Sequence, residues 1–122
     1  MNLWLDDIRA PPEGWTWVRT VPEAKAILRY ESVEHASLDH DLGGACPDDC
    51  CSGITGARVC DLDCRCVCHA TGYELVCWME ITGRWPTVSC HVHSANPVGA
   101  ERMWFAIERA GFGRDGVRMD KP

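Results

Sequence analysis

Three short apolar runs in this chain stop abruptly on polar side chains, and that pattern leaves few folds open. Asn2 to Leu5 ends in Asp6-Asp7, Val33 to Leu38 ends in Asp39-His40-Asp41 with Gly43 breaking the backbone, and Thr87 to Val92 ends in His93-Ser94-Ala95-Asn96. Each run has the length and composition of a buried strand. Stretches with helical spacing lie between them. Strands alternating with helices argue for a parallel sheet covered on both faces. All carboxyl ends of such a sheet lie along one edge, in the crevice where open α/β sheets bind ligands. Groups far apart in sequence can therefore converge there.

The remaining elements fit the same plan. Trp15-Thr16-Trp17-Val18-Arg19 alternates as a strand. Pro11-Pro12-Glu13-Gly14 before it forbids a helix and reads as a loop. Thr20-Val21-Pro22-Glu23 is a helix start: Thr20 caps, Glu23 completes a capping box and Pro22 is tolerated in the first turn. Ala24, Ile27 and Leu28 give that helix its apolar face, and it should fade near Tyr30 or Glu31. Leu75, Val76, Trp78, Met79 and Ile81 suit a second helix closing near Gly83. Met103, Phe105, Ile107 and Ala110 mark a third, with Gly111 as its C-cap. Gly116 to Met119 is a candidate last strand, which makes five.

With 122 residues the chain has room for one core, and so is expected to be a single domain over 1–122. Twelve basic against eighteen acidic residues give a formal charge of −6, which argues against duplex DNA as a partner. The N-terminus has too short an apolar stretch for a signal peptide, and no run approaches a membrane span. A cytoplasmic protein without a membrane partner is expected.

The converging strand ends carry a recognisable chemistry. Neighbouring carboxylates repel, so Asp6, Asp7 and Asp39 favour a cation between them. Hard oxygen ligands suit Mg²⁺ or Mn²⁺. Asp41 is an extra ligand or general base, and His40 or His93 an acid or base near neutral pH. Arg9 and Arg102 can clamp phosphate oxygens, while Ser94 and Asn96 orient the substrate. Phosphoryl transfer needs mainly such positioning and charge stabilisation. Trp15 and Trp17 are expected to pack in the core, with stacking on a base as the alternative.

Asp6-Asp7, Asp39, Ser94 and Lys121-Pro122, each after a strand, resemble the receiver domains of two-component signalling. A closer likeness is to a divergent branch, the cyclic-phosphate processing receiver domains. Leu5-Asp6-Asp7-Ile8-Arg9 with Pro12, Ser37-Leu38-Asp39-His40-Asp41-Leu42-Gly43, Thr71-Gly72-Tyr73, and His93-Ser94-Ala95-Asn96-Pro97-Val98-Gly99 with Arg102-Met103 resemble its motifs. The resemblance implies a receiver-like, flavodoxin-type three-layer sandwich. It also implies that Asp39 can accept a phosphoryl group while the acids bind Mg²⁺. The Pro11-Pro12 loop replaces most of the first helix of ordinary receivers, and Asp41, His40, His93 and Asn96 add acid/base groups. These departures favour hydrolysis over stable phosphorylation.

Residues 44–70 have no periodicity and read as an insertion. Cys46, Cys50, Cys51, Cys60, Cys64, Cys66 and Cys68, with His69, offer ligands for one or two structural zinc ions. The segment follows Asp41 directly and should hang over the active edge as a lid or specificity wall. Cys77 and Cys90 are expected in the core. The expected function is a metal-dependent phosphoesterase acting on cyclic or terminal nucleotide phosphates, with an RNA end or a nucleotide as ligand. The rival readings are a phosphoacceptor signalling domain and a non-catalytic nucleotide-binding module.

Overall fold

The computed structural model describes residues 1–42 and 71–119. The expected zinc ligands Cys46, Cys50, Cys51, Cys60, Cys64, Cys66, Cys68 and His69, and Lys121 at the C-terminus, lie outside the described residues.

The elements run β1 (Asn2–Leu5), β2 (Thr16–Val18), α1 (Val21–Tyr30), β3 (His35–Leu38), α2 (Gly72–Thr82), β4 (Ser89–Val92) and α3 (Pro97–Arg109). The strands form one sheet in the order β2-β1-β3-β4, and every neighbouring pair is parallel. Local signals set the helix ends. The Thr20 hydroxyl accepts from the Glu23 backbone N–H at the start of α1, as the capping box requires. Gly83, at φ 72°, closes α2 in the left-handed conformation that costs glycine nothing. Asn96 caps α3, with Pro97 at its first turn.

Side-chain alternation along the strands decides how the layers form. Leu3, Leu5, Val18, Ala36, Leu38, Cys90 and Val92 share one face of the sheet and are buried. They form a single core with Val21, Ala24 and Leu28 of α1, Leu75, Val76 and Met79 of α2, and Met103, Ala106 and Ile107 of α3. All three helices therefore cover the same face. The opposite face carries Trp17, Trp4, Ser37 and His91 in one register row, and Asn2, His35 and Ser89 in the next. No helix among the described residues covers it.

Both-face coverage and a third layer were expected, and the described residues show two layers. Right-handed crossovers explain the difference. The steps β2-α1-β3 and β3-α2-β4 move along the sheet in one direction, so their helices share a face. The step from β1 to β2 runs the other way, so its connection belongs on the opposite face. That connection is the loop from Asp6 to Trp15, whose Pro11-Pro12 pair denies it a helix. The open face is bordered by a loop where a helix would have covered it.

The sheet also has four strands where five were expected among the described residues. A fifth parallel strand would need the chain to leave α3 and run straight along β4. Instead it turns back between Gly113 and Gly116, and the Val117 carbonyl accepts from the Gly113 N–H at 2.9 Å. Val117 and Arg118 consequently form antiparallel bridges, to Ser89 and Phe112. No helix among the described residues is long and apolar enough to cross a membrane.

Candidate active site

β1 and β3 are adjacent and parallel, so their carboxyl ends deliver Asp6, Asp7 and Asp39 to one place. One carboxylate oxygen from each lies within 4.8 Å of the others. Asp6 and Asp39 are buried, at 0% and 3% exposure, while Asp7 is half-buried. Buried carboxylates need hydrogen bonds to stay charged. Asp6 Oδ1 accepts from the backbone N–H groups of Ile8 and Arg9, at 2.9 and 2.8 Å. Asp39 Oδ1 accepts from the His40 N–H at 2.9 Å.

These contacts divide the cluster electrostatically. Burial pushes the Asp6 pKa up, but the Arg9 and Ile8 amides and His93 outweigh it and leave the carboxyl below its ordinary value. Asp7 goes the other way: burial raises it, and the negative charges of Asp6 and Asp39 raise it further. Three hard oxygen donors, one held against its neighbours' repulsion, fit a Mg²⁺ or Mn²⁺ ion.

Asp7→Asn should therefore stabilise the cation-free protein by about 1 kcal/mol, roughly a 4 °C rise in Tm. The sign follows from the raised pKa. Below the ordinary value of 3.8 Asp7 is protonated in either state, so the variant gains nothing. The gain develops as pH rises from there through the folded pKa. Thermal melts at pH 3 and pH 7, with and without Mg²⁺, check this. The same variant should lose most of the stabilisation that added Mg²⁺ confers on the parent. An unchanged response to Mg²⁺ would remove Asp7 from the ligand set.

His93 is joined to Asp6 more tightly than its position after β4 indicated. Its Nε2 lies 3.0 Å from Asp6 Oδ2, and its Nδ1 lies 2.7 Å from Ser37 Oγ. Its ring stacks on Trp4, with centroids 4.0 Å apart and planes 9° from parallel. Burial holds its pKa below the ordinary value, although Asp6 opposes that shift. With both ring nitrogens engaged, His93 fixes Asp6 in place. Arg9 leans over the same pair, its Nε 3.5 Å from Asp6 Oδ2 and a guanidinium nitrogen 3.4 Å from the His93 carbonyl.

Other expected site residues form a second group beside the first. His40 Nδ1 lies 2.7 Å from Asp41 Oδ1, and the Asn96 amide donates to that oxygen at 3.2 Å. The His40 hydrogen bond, followed by that of Asn96, holds the Asp41 carboxyl below its ordinary range despite partial desolvation. Asn96 Oδ1 accepts from the Gly99 N–H at 3.0 Å, so one end of this amide caps α3 while the other holds Asp41. Ser94 Oγ accepts from the Asn96 N–H at 3.0 Å. Arg102 stacks on Tyr73, 4.6 Å from the ring centroid. Asp41, His40, Ser94 and Asn96 thus link the loop after β3 to the start of α3, and Asp41 stands outside the three-acid cluster.

Two glycines permit this link. A Cβ on Gly99 would lie 2.5 Å from the His40 ring, and one on Gly72 would lie 2.0 Å from the Asp39 carbonyl oxygen. The Gly72 N–H donates to the His40 carbonyl at 2.9 Å, which brings α2 directly against the loop that carries Asp39.

A family model described as "Cyclic-phosphate processing Receiver domain" matches residues 1–109. The chain belongs to this family. Searches of curated proteins and of solved structures each returned no match. The family's name points to cyclic-phosphate processing. In this cyclic-phosphate processing receiver domain the acid positions after β1 and β3 sit together, as a receiver fold requires.

Sequence reasoning missed Ser37 and Trp4 as parts of the site, and gave Trp17 a place there only as the alternative to core packing. The Trp17 indole donates to the Asp6 carbonyl at 2.7 Å. The Trp4 indole donates to the Arg9 carbonyl at 2.8 Å. The signal was present in the alternation of the strands. Trp4, Ser37 and His91 each sit between buried apolar neighbours, which marks a face that the core does not take up.

Proposed function

We propose that this domain is a metal-dependent phosphoesterase acting on cyclic or terminal nucleotide phosphates. The observation that carries the reading is the meeting of Asp6, Asp7 and Asp39 within 4.8 Å at the carboxyl ends of adjacent strands. Its family's name supplies the phosphate chemistry. A Mg²⁺ or Mn²⁺ ion, when bound, supplies positive charge for the phosphate oxygens and acidifies a bound water.

The chain's own residues do the rest. Asp6, Asp7 and Asp39 hold the cation, and Asp39 is also the acceptor in a route through a phosphorylated side chain. Arg9 neutralises a phosphate oxygen from the open side of the cluster. His93 orients Asp6. The His40–Asp41 pair provides the acid/base group, and Arg102 a second cationic contact for the substrate. In the insertion, Cys46, Cys50, Cys51, Cys60, Cys64, Cys66, Cys68 and His69 would hold one or two structural zinc ions and shape access to the cluster.

A phosphorus NMR screen tests the reading. The full chain, with zinc retained, is incubated with Mg²⁺ or Mn²⁺ and 2′,3′-cyclic or 3′,5′-cyclic nucleotides, or nucleotides with a terminal phosphate. New phosphorus signals appearing over time are expected, and their position identifies the bond cut. Shifted but unconverted signals would favour a sequestering module. No response to any nucleotide, with labelling of Asp39 by a small phosphodonor, would favour a signalling domain.

A further inference from the structure

The open sheet face and the acid cluster form one continuous surface. Along a strand, side chains on the same face recur about every 7 Å. The row Trp17–Trp4–Ser37–His91 is followed, one such step nearer the carboxyl edge, by Asp6, Asp39 and His93. His93 bridges the two rows: it stacks on Trp4, reaches Ser37 through Nδ1 and reaches Asp6 through Nε2.

On the other side of that bridge lies a groove of about 330 Å³. Its aromatic corner is Trp4 and Trp15, 6.0 Å apart with planes at 80°. Its polar side is His35, Ser37, Ser89 and His91. Among the described residues, the loop that takes a helix's place leaves this groove open and puts Trp15 on its border.

The lining selects an occupant. Among the described residues it contains no lysine or arginine, and its one carboxylate is Asp115. A phosphate would find no counter-charge here and would meet a negative group at the rim. A purely apolar partner would suit the mostly apolar lining but leave the exposed parts of its hydroxyls and imidazoles without a partner. A flat neutral heterocycle meets neither obstacle. It can stack on one indole and present its edge to the other, and its ring nitrogens and carbonyls can pair with His91 and with the hydroxyl capacity that Ser37 and Ser89 keep beside their bonds to His93 and His35. A pocket of this size is ordinary for a small ligand. The step between rows is comparable with the span of a ribose between a base and its phosphate.

We propose that this groove seats the nucleobase of the substrate while its phosphate lies at Asp6, Asp7 and Asp39. The proposal rests on the phosphoesterase reading and extends it: the substrate class is nucleotides with an accessible base, not small cyclic phosphates in general.

The tryptophans supply separate reporters for the two halves. The Trp17 indole N–H donates to the Asp6 carbonyl and reports the acid cluster, while Trp15 reports the groove. Indole N–H resonances, assigned by single substitutions, are followed in the full zinc-loaded chain with adenosine and uridine, and with a ribose cyclic phosphate lacking a base plus Mg²⁺. Adenosine or uridine should shift Trp15 and Trp4. The base-free phosphate with Mg²⁺ should shift Trp17, and Trp4 through its bond to the Arg9 carbonyl, but leave Trp15 unmoved. Trp15→Ala should weaken nucleotide binding about ten-fold, with the loss confined to ligands that carry a base, and Trp15→Phe should restore most of it.

No response of Trp15 and Trp4 to nucleosides overturns the proposal while leaving the phosphoesterase reading intact. Silence of Trp17 towards Mg²⁺ and base-free phosphate removes that reading instead. Shifts of Trp15 and Trp4 on concentrating the protein, without any response to nucleoside, would mark the face as an interface between copies and also overturn the proposal.

Discussion

Asp39→Asn should keep the fold and lose turnover by a hundred-fold or more. Two properties of the site set this expectation. The first is structural economy: Asp39 Oδ1 accepts the His40 N–H at 2.9 Å, and an asparagine carbonyl oxygen can accept the same bond. The buried position, 3% exposed, is therefore filled and hydrogen-bonded in the variant. The second is charge. At an effective dielectric of about 20, a unit charge about 4 Å from another contributes about 4 kcal/mol. A divalent cation that loses one of three carboxylates loses an interaction of that order, and the proposed phosphoryl acceptor goes with it. Mg²⁺ titration followed by the thermal melt should show a weakened response, and phosphorus NMR should show product formation falling to near background. The cation-free variant should melt no lower than the parent, because removing a charge from the cluster relieves repulsion. Turnover within a few-fold of the parent would sink the role given to Asp39. A fall in both melt and turnover would point to structural damage.

The acid cluster was legible in the sequence because it depends on topology more than on packing. Once Asn2–Leu5 and His35–Leu38 are parallel neighbours, Asp6 and Asp39 have to meet. The capping box at Thr20 and the glycine closing α2 were legible for a similar reason: each is settled within a few residues of chain. What escaped the sequence depended on which face a side chain meets. Trp15 and Trp17 were expected in the core because tryptophan buries a large apolar area. They line the open face because the loop between β1 and β2 has no helix to cover them. Pro11-Pro12 was visible and its effect on that helix was foreseen. The missing step was that crossover handedness assigns the lost helix to one particular face.

The second group of polar residues makes a related point. Asp41 was read as an extra ligand or general base, and Ser94 and Asn96 as groups that orient the substrate, from their place after strand ends. In the folded chain the Asn96 amide accepts from Gly99 and donates to Asp41, and Ser94 accepts from Asn96. A residue at the active edge can serve the helix that starts there, and an N-cap asparagine reads identically to a substrate contact in a one-dimensional motif. His93 illustrates the converse: its position after β4 was legible, but its contacts with Trp4 and Ser37 required the register of β1, β3 and β4.

Gly72→Ala carries the largest expected effect on stability, because of what its methyl would strike. The nearest atom is the Asp39 carbonyl oxygen at 2.0 Å, followed by Met103 Cε at 2.9 Å and the Asp39 carbonyl carbon at 3.0 Å. Met103 can move, but the Asp39 backbone cannot move alone. Its N–H donates to the Leu5 carbonyl at 2.9 Å, and the Gly72 N–H is itself tied to the His40 carbonyl. Relief requires α2 to retreat from the sheet or the loop after β3 to shift. Overpacking of this kind costs about 3 kcal/mol when backbone must give, or roughly a ten-degree fall in Tm for a domain of this size. Gly99→Ala is the matched comparison. Its nearest neighbours are atoms of the His40 ring, at 2.5 Å, and a ring can turn aside. That variant should lose about 1 kcal/mol or less while breaking the His40–Asp41 contact. Chemical denaturation of the two variants beside the parent separates the cases. A Gly72→Ala protein as stable as the Gly99→Ala protein would mean that α2 does not dock on the Asp39 carbonyl. A large loss confined to Gly72→Ala would establish that the start of α2 and the acid cluster are held as one unit, so that any movement of this helix displaces a carboxylate the proposed chemistry needs.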